Sequence, residues 1–333
     1  MSHQIPSPAP SLDELARSQH NVVTSGQLRA RGIPAKTVSG RCRPGGPWRR
    51  LLPRVFLLQP SAPTPEQRLW AALLYAAQNG LVERRGAPAI TGAAALALYG
   101  FASVPRLPAV TGVEVLVPRQ RRLRDAGEVR ILRTDRALEA RLVHGLACAP
   151  IARAVADALS VWGAEGLRPG AVRELLREAV AAGGCPVREL VGELADAGLT
   201  AEPPVRAALD EVLADVREAA GERLAALLDG GRLPEPVRGA ELRTRGGTFV
   251  AVPDLYWPES AVAVELDSEL RCVSEGEAAW ARGCRQRMEH LGVRVVCLTS
   301  DRLAAEPAAV REEVRAALAA GGVDPVPLLA DPA

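Results

Sequence analysis

The chain has 333 residues, 48% of them hydrophobic and 24% charged, with 41 basic residues against 39 acidic ones and a formal net charge of +2. That length predicts two or three domains, and the balance is ordinary for a soluble globular protein with no global supercharge. No run of about 18 apolar residues predicts a membrane helix, and Met1-Ser2-His3-Gln4-Ile5-Pro6 lacks the basic start and apolar core of a signal peptide, so a cytoplasmic location is expected.

Residues 1–10 are rich in Pro and Ser and read as disordered. The first folded unit is expected over 11–62. Ser11 with Glu14 forms a capping-box pattern for a first helix. Thr24 or Ser25 can cap a second, Gln27 to Arg31, which Gly32 ends. After the Ile33-Pro34 turn, Ala35 to Arg41 reads as a third helix. Pro44-Gly45-Gly46-Pro47 must turn, and Trp48 to Leu58 reads as a short hairpin. Helix, helix-turn-helix, then a β wing is the winged-helix order.

Charge singles out the same stretch. Residues 21–60 hold Arg29, Arg31, Lys36, Arg41, Arg43, Arg49, Arg50 and Arg54, eight basic residues, and no Asp or Glu. The remainder therefore carries 2 − 8 = −6. Such a local field is one that phosphates feel. A merely solvated face in an arginine-biased chain would carry interspersed acids, as the rest of this chain does. Double-stranded DNA is the expected partner, with Arg29, Lys36, Arg41, Arg43, Arg49 and Arg50 as contact residues. Phosphate contact is expected of most of them.

A middle α/β region is expected over 63–160. Pro65 to Asn79 and Thr91 to Leu98 read as helices. Val113 to Val117 and Glu128 to Leu132 read as strands joined by Arg119-Gln120-Arg121-Arg122-Leu123-Arg124, a solvated hairpin tip or a second phosphate contact. Ala149 to Leu159 is a further helix. Residues 161–216 read as a helical connector with Glu/Arg pairs at helical spacing.

Residues 217–322 carry the most specific pattern. A helix from Ala219 to Leu228 is followed by strands Ala240 to Thr244, Thr248 to Val252 and Ala261 to Asp267. Helix Glu277 to Leu291, strand Val293 to Leu298 and helix Glu306 to Ala319 complete it. This is the order of the restriction-endonuclease-like α/β fold. The period of two puts Glu265 and Asp267 on one face of their strand and Val262, Val264 and Leu266 on the other. Carboxylates inside an apolar strand are costly unless a cation or a wet cleft accounts for them. Asp254, across the Pro258 turn, can reach the same side, and with Glu222 the acids could form an oxygen-ligand site for Mg2+ that activates water at phosphorus. The alternative is that Asp254 and Asp267 are polar strand ends and that Glu265 pairs with an arginine of the Arg282/Arg285/Arg287 helix.

Two resemblances sharpen these expectations. Asn21-Val22-Val23-Thr24, the helix-turn-helix ending in Arg41, Trp48-Arg49-Arg50-Leu51, Pro53-Arg54-Val55-Phe56 and Ala94-Ala95-Leu96-Ala97-Leu98-Tyr99-Gly100 resemble AbiEi-type antitoxins. That resemblance implies an operator-binding autorepressor and a cognate toxin. Leu233-Pro234-Glu235-Pro236, Pro253-Asp254 through Glu259, Val262 through Ser268 and Leu291 through Val295 resemble the very-short-patch-repair-like endonucleases of the PD-(D/E)xK superfamily. It implies Asp254, Glu265 and Asp267 as metal ligands, with Glu222 on a supporting helix.

The chain departs from that family. Asp267 stands at the superfamily's lysine position, and Lys36 is the only lysine in the chain. Arg271-Cys272 stands where a histidine is common, and Trp280 is followed by Ala281-Arg282-Gly283. Arginine stays protonated and is a poor general base. Two functions follow from this: a Mg2+-dependent DNA endonuclease, or an antitoxin-type regulator whose nuclease-like domain is inactive. The six cysteines include no Cys-x-x-Cys pair, and no phosphate-loop or nucleophile-elbow motif occurs.

Overall fold

A computed structural model of the protein describes residues 11–78, 87–136, 139–164, 166–182, 184–229, 233–266, 275–323 and 325–331. The chain is an α/β protein with four sheets, two of them mixed, and no barrel among the described residues, and it divides into two compact units, residues 1–185 and 186–333.

The first unit begins with α1 (Leu12–Ser18), β1 (Val22–Thr24), α2 (Ser25–Arg29), α3 (Ala35–Arg41), β2 (Arg49–Leu52) and β3 (Val55–Leu57). The expected helices and hairpin hold within two residues, and β1 is an addition to them. Both expected caps are formed. The Ser11 hydroxyl accepts the Glu14 N–H at 3.2 Å while Glu14 accepts the Ser11 N–H at 2.7 Å, and Thr24 and Gln27 repeat the exchange. Each such cap contributes about 1 kcal/mol. The three strands form an antiparallel sheet in the order β1-β3-β2. Leu15, Val23, Leu28, Val38, Trp48 and Phe56 close a small core beneath them.

The same unit continues with α4 (Pro65–Ala77), β4 (Ala89–Thr91), α5 (Gly92–Leu98), β5 (Val113–Pro118), β6 (Val129–Thr134), β7 (Arg141–Val143), β8 (Leu146–Cys148), α6 (Ile151–Gly163) and α7 (Pro169–Ala181). Gln67, 6% exposed, ties α4 to the basic segment. Its amide oxygen accepts the Thr64 N–H at 3.0 Å, and its NH2 donates to the His20 carbonyl at 2.9 Å and to Gln59 Oε1 at 3.1 Å.

The five strands order as β6-β5-β4-β8-β7. β5 and β6 pair in parallel, Val113 beside Val129 through Pro118 beside Thr134, so the arginine-rich segment between them is a crossover and not the expected hairpin tip. Its arginines are partly consumed by the fold. Arg121 donates to the Ala76 and Ala77 carbonyls at the end of α4, and Arg119 pairs with Asp135 at 2.7 Å.

The second unit comprises α8 (Val187–Asp196), α9 (Pro203–Asp229), β9 (Val237–Arg238), β10 (Glu241–Thr244), β11 (Phe249–Ala251), β12 (Leu255–Trp257), β13 (Val262–Leu266), α10 (Glu275–His290), β14 (Arg294–Leu298), α11 (Ser300–Ala305), α12 (Pro307–Ala320) and β15 (Leu328–Asp331). The expected elements from 240 to 320 are all present, but they build two sheets. β11-β10-β15 is one, and β14-β13-β12-β9 is the other. In the larger sheet β13 and β14 run parallel, with α10 in the connection between them, and β12 and β13 form an antiparallel hairpin. One side of β13 packs Val262, Val264 and Leu266 with Ala220, Leu224 and Leu228 of α9 and Val310 and Val314 of α12. The other turns Ala263 toward Cys284 and Met288 of α10.

Candidate functional site

The basic segment is built to face outward. In α3 only Val38 is buried, so the rest of the helix, Lys36 and Arg41 included, is exposed. The β2–β3 hairpin turns at Pro53-Arg54 with Arg54 at φ 65°, and its β2 strand exposes Arg49 and Arg50. Seven of the eight basic residues of 21–60 are exposed; Arg31 is half-buried, donating to the Gln27 carbonyl at 3.0 Å. Two of the exposed guanidiniums lie over aromatic rings, Arg41 at 4.5 Å from the Trp48 centroid and Arg50 at 5.9 Å from that of Phe56. Arg49 Nε donates to the Pro60 carbonyl at 2.6 Å. These contacts hold long side chains against the surface with their charge still exposed. Arg29, Lys36 and Arg43 are exposed and form no ion pair among the described residues. The aromatic seats under Arg41 and Arg50 were not foreseen, although Trp48 and Phe56 were both in view.

In the second unit the hairpin register pairs Leu255 with Val264 and Tyr256 with Ala263. Asp254 is the bend residue just before this ladder. Glu265 alternates with Val264 and Leu266 along β13, so it stands with Ala263 on the α10 side of the sheet. Asp254 Oδ2 accepts the Leu266 N–H at 2.7 Å, and the Asp254 N–H donates to the Val264 carbonyl at 3.1 Å. The Pro258–Ala261 turn, with Ala261 at φ 48°, sets this register.

Glu265 is 9% exposed and is not alone. Arg285 of α10 donates Nε and Nη2 to the same oxygen, Oε2, both at 3.0 Å. Of the three arginines expected on this helix, Arg285 is the one that pairs with it. Arg287 instead donates to the Val250 carbonyl at 3.1 Å and to Cys284 Sγ at 3.0 Å. Glu222 does not join the pair. It is exposed on α9, whose core residues Ala220 and Leu224 pack on the face of the sheet opposite Glu265. Helical geometry turns position 222 away from the 220–224–228 stripe. Asp267, Arg271 and Cys272 lie outside the described residues.

The donor set can be weighed against Mg2+ directly. A divalent cation needs several free oxygens. Here one Asp254 oxygen holds a backbone N–H, and a guanidinium already neutralises Glu265. The described residues do not fit the ion while Arg285 keeps this position, and no group of three or more metal-ligating side chains occurs among them. No helix among the described residues is long and apolar enough to cross a membrane.

The first unit also holds a feature that sequence reading missed. A cleft of about 1160 Å3 is lined by Glu114, Thr111, Arg130, Trp162 and Arg168, among others. An acid within the apolar strand Val113 to Val117 was the available signal. Neither a comparison with protein-family models nor one with curated proteins finds a match to this chain.

Proposed function

We propose that residues 11–62 form a winged-helix DNA-binding domain and that the protein is a double-stranded-DNA-binding regulator of antitoxin type carrying an endonuclease-like unit. One observation carries the reading: an acid-free segment whose seven exposed basic residues lie on a short helix, a hairpin and the turns beside them. A helix exposed on nearly all sides suits a groove, and basic strands beside it suit the flanking phosphates. The Glu265–Arg285 pair supports a non-catalytic role for the second unit. A guanidinium at that carboxylate supplies the counter-charge that a metal ion would otherwise bring.

The second reading is Mg2+-dependent DNA cleavage. It draws on the Asp254 carboxylate held at the N–H of Leu266, the residue after Glu265, and it requires Arg285 to leave. Two experiments test these readings. Arg49→Ala/Arg50→Ala should weaken DNA binding and flatten the log–log salt dependence by up to about 2, near 0.9 per lost phosphate contact. An unchanged slope removes the hairpin from the interface. Plasmid incubated with the protein and Mg2+ or Mn2+ should stay intact under the first reading. Nicking that disappears in Asp254→Ala/Glu265→Ala would establish the second.

A further inference from the structure

We propose that the cleft of the 1–185 unit binds a small organic cation carrying N–H donors, an ammonium or a guanidinium, with Glu114 as its anchoring carboxylate. Glu114 lies on β5, opposite Thr91 of β4 and beside Arg130 of β6. It is 6% exposed and lines the cleft. Among the described residues, its own backbone N–H is the one hydrogen-bond donor found for its carboxylate. Glycines flank its oxygens: a Cβ at Gly92 would lie 3.0 Å from Oε2, and one at Gly112 3.7 Å from Oε1.

A neighbouring buried acid shows what saturation looks like in this unit. Asp157 accepts the Thr91 hydroxyl at 2.6 Å and Arg153 Nε at 2.9 and 3.0 Å on its two oxygens. Glu114 has no such set. Burial, together with the negative charge of Asp157, pushes its carboxyl above the ordinary 4.5, and its own N–H and the Arg130 charge oppose this.

Three acids (Glu114, Asp125, Glu128) and two arginines (Arg130, Arg168) line the cleft. Asp125 is committed to the Ile131 N–H at 2.9 Å, and Glu128 faces Arg68 at 3.7 Å. Arg130 and Arg168 are exposed. Glu114 is therefore the acid with capacity to spare. One carboxylate is too few for a hard metal ion, but it matches the paired N–H donors of a guanidinium, or an ammonium, by charge-assisted bonds. Trp162 adds an aromatic surface that such cations favour, and the volume suits a small molecule.

The test is titration calorimetry on the full chain without DNA, at constant ionic strength, so that it stands apart from the DNA reading. The probes are agmatine and putrescine, with urea as an uncharged N–H donor. The expected result is saturable binding of at least one cation at one site per chain, and weaker or absent binding of urea. Glu114→Gln should weaken the cation about ten- to a hundredfold. A preference for agmatine over putrescine assigns the site to guanidinium, and the reverse to ammonium. Absence of binding by both cations, or equal binding by Glu114→Gln, overturns the proposal. Should Glu114→Gln fail to fold, the pH profile of the unaltered chain decides: affinity must fall on acidification as Glu114 takes up a proton, and a flat profile down to about pH 4 overturns it.

Discussion

Replacing Arg285 by alanine separates the two roles open to the carboxylate pair. The Glu265 side chain is 11% exposed and that of Arg285 30%, and two N–H groups of Arg285 converge on one Glu265 oxygen. Removing one partner of a fully buried ion pair costs about 3–5 kcal/mol. Water can reach part of the space Arg285 vacates, which lowers the expected loss to about 2–3 kcal/mol. The assay is urea unfolding at neutral pH, followed by circular dichroism and tryptophan fluorescence, first in EDTA and then with Mg2+. Glu265→Gln in the Arg285→Ala background should recover part of the loss, because no buried charge is then left unpaired. A loss below about 0.5 kcal/mol would refute the argument that Arg285 neutralises Glu265. A Mg2+ stabilisation larger in Arg285→Ala than in the parent would show that the acids accept a cation once the guanidinium is gone. Equal stabilisation would confine Asp254 and Glu265 to a structural role.

Two further outcomes follow from buried polar contacts of the first unit. Gln67→Leu removes bonds to Thr64, His20 and Gln59 and should lower unfolding free energy by about 2–4 kcal/mol, read by denaturation, with DNA affinity falling as the basic segment loosens. Glu178 of α7 accepts the Ala102 N–H at 2.6 Å and both the N–H and hydroxyl of Ser103, at 2.9 and 2.6 Å. Burial pushes its carboxyl up, but these donors more than reverse that and hold it below the ordinary 4.5. A depressed carboxyl stabilises the fold above its unfolded value, and that contribution is lost as pH falls through the folded one. The parent should therefore lose stability below about pH 4.5 more steeply than Glu178→Gln does.

How much was legible can be argued residue by residue. The caps at Ser11 and Thr24 and the turn at Ile33-Pro34 are local signals, and the elements they delimit came out close to expectation. The parallel pairing of β5 and β6 was not legible. Ten residues separate the two strands in the chain, a length that suits a hairpin loop as readily as a crossover. The unforeseen β4 occupies the other side of β5. It is only Ala89-Ile90-Thr91, and its last residue had been merged into the following helix. At the carboxylates, the period of two was enough to put Glu265 on the side of its strand opposite Val264 and Leu266. Which arginine of α10 would meet Glu265 was not, because Arg282, Arg285 and Arg287 differ only in helical phase against a sheet not yet built. Glu222 failed for a related reason. Its helix was expected, but the face that helix buries depends on the stripe Ala220, Leu224 and Leu228.

Lys36, exposed on α3, carries the only side-chain amine in the chain. Amine-directed reagents that spare guanidinium therefore have one side-chain amine to modify. A single acetyl group would take the 21–60 segment from +8 to +7 without touching any arginine. A fluorophore coupled there would report on one helix alone. The composition that denies the second unit a lysine thus leaves the first with a uniquely addressable position.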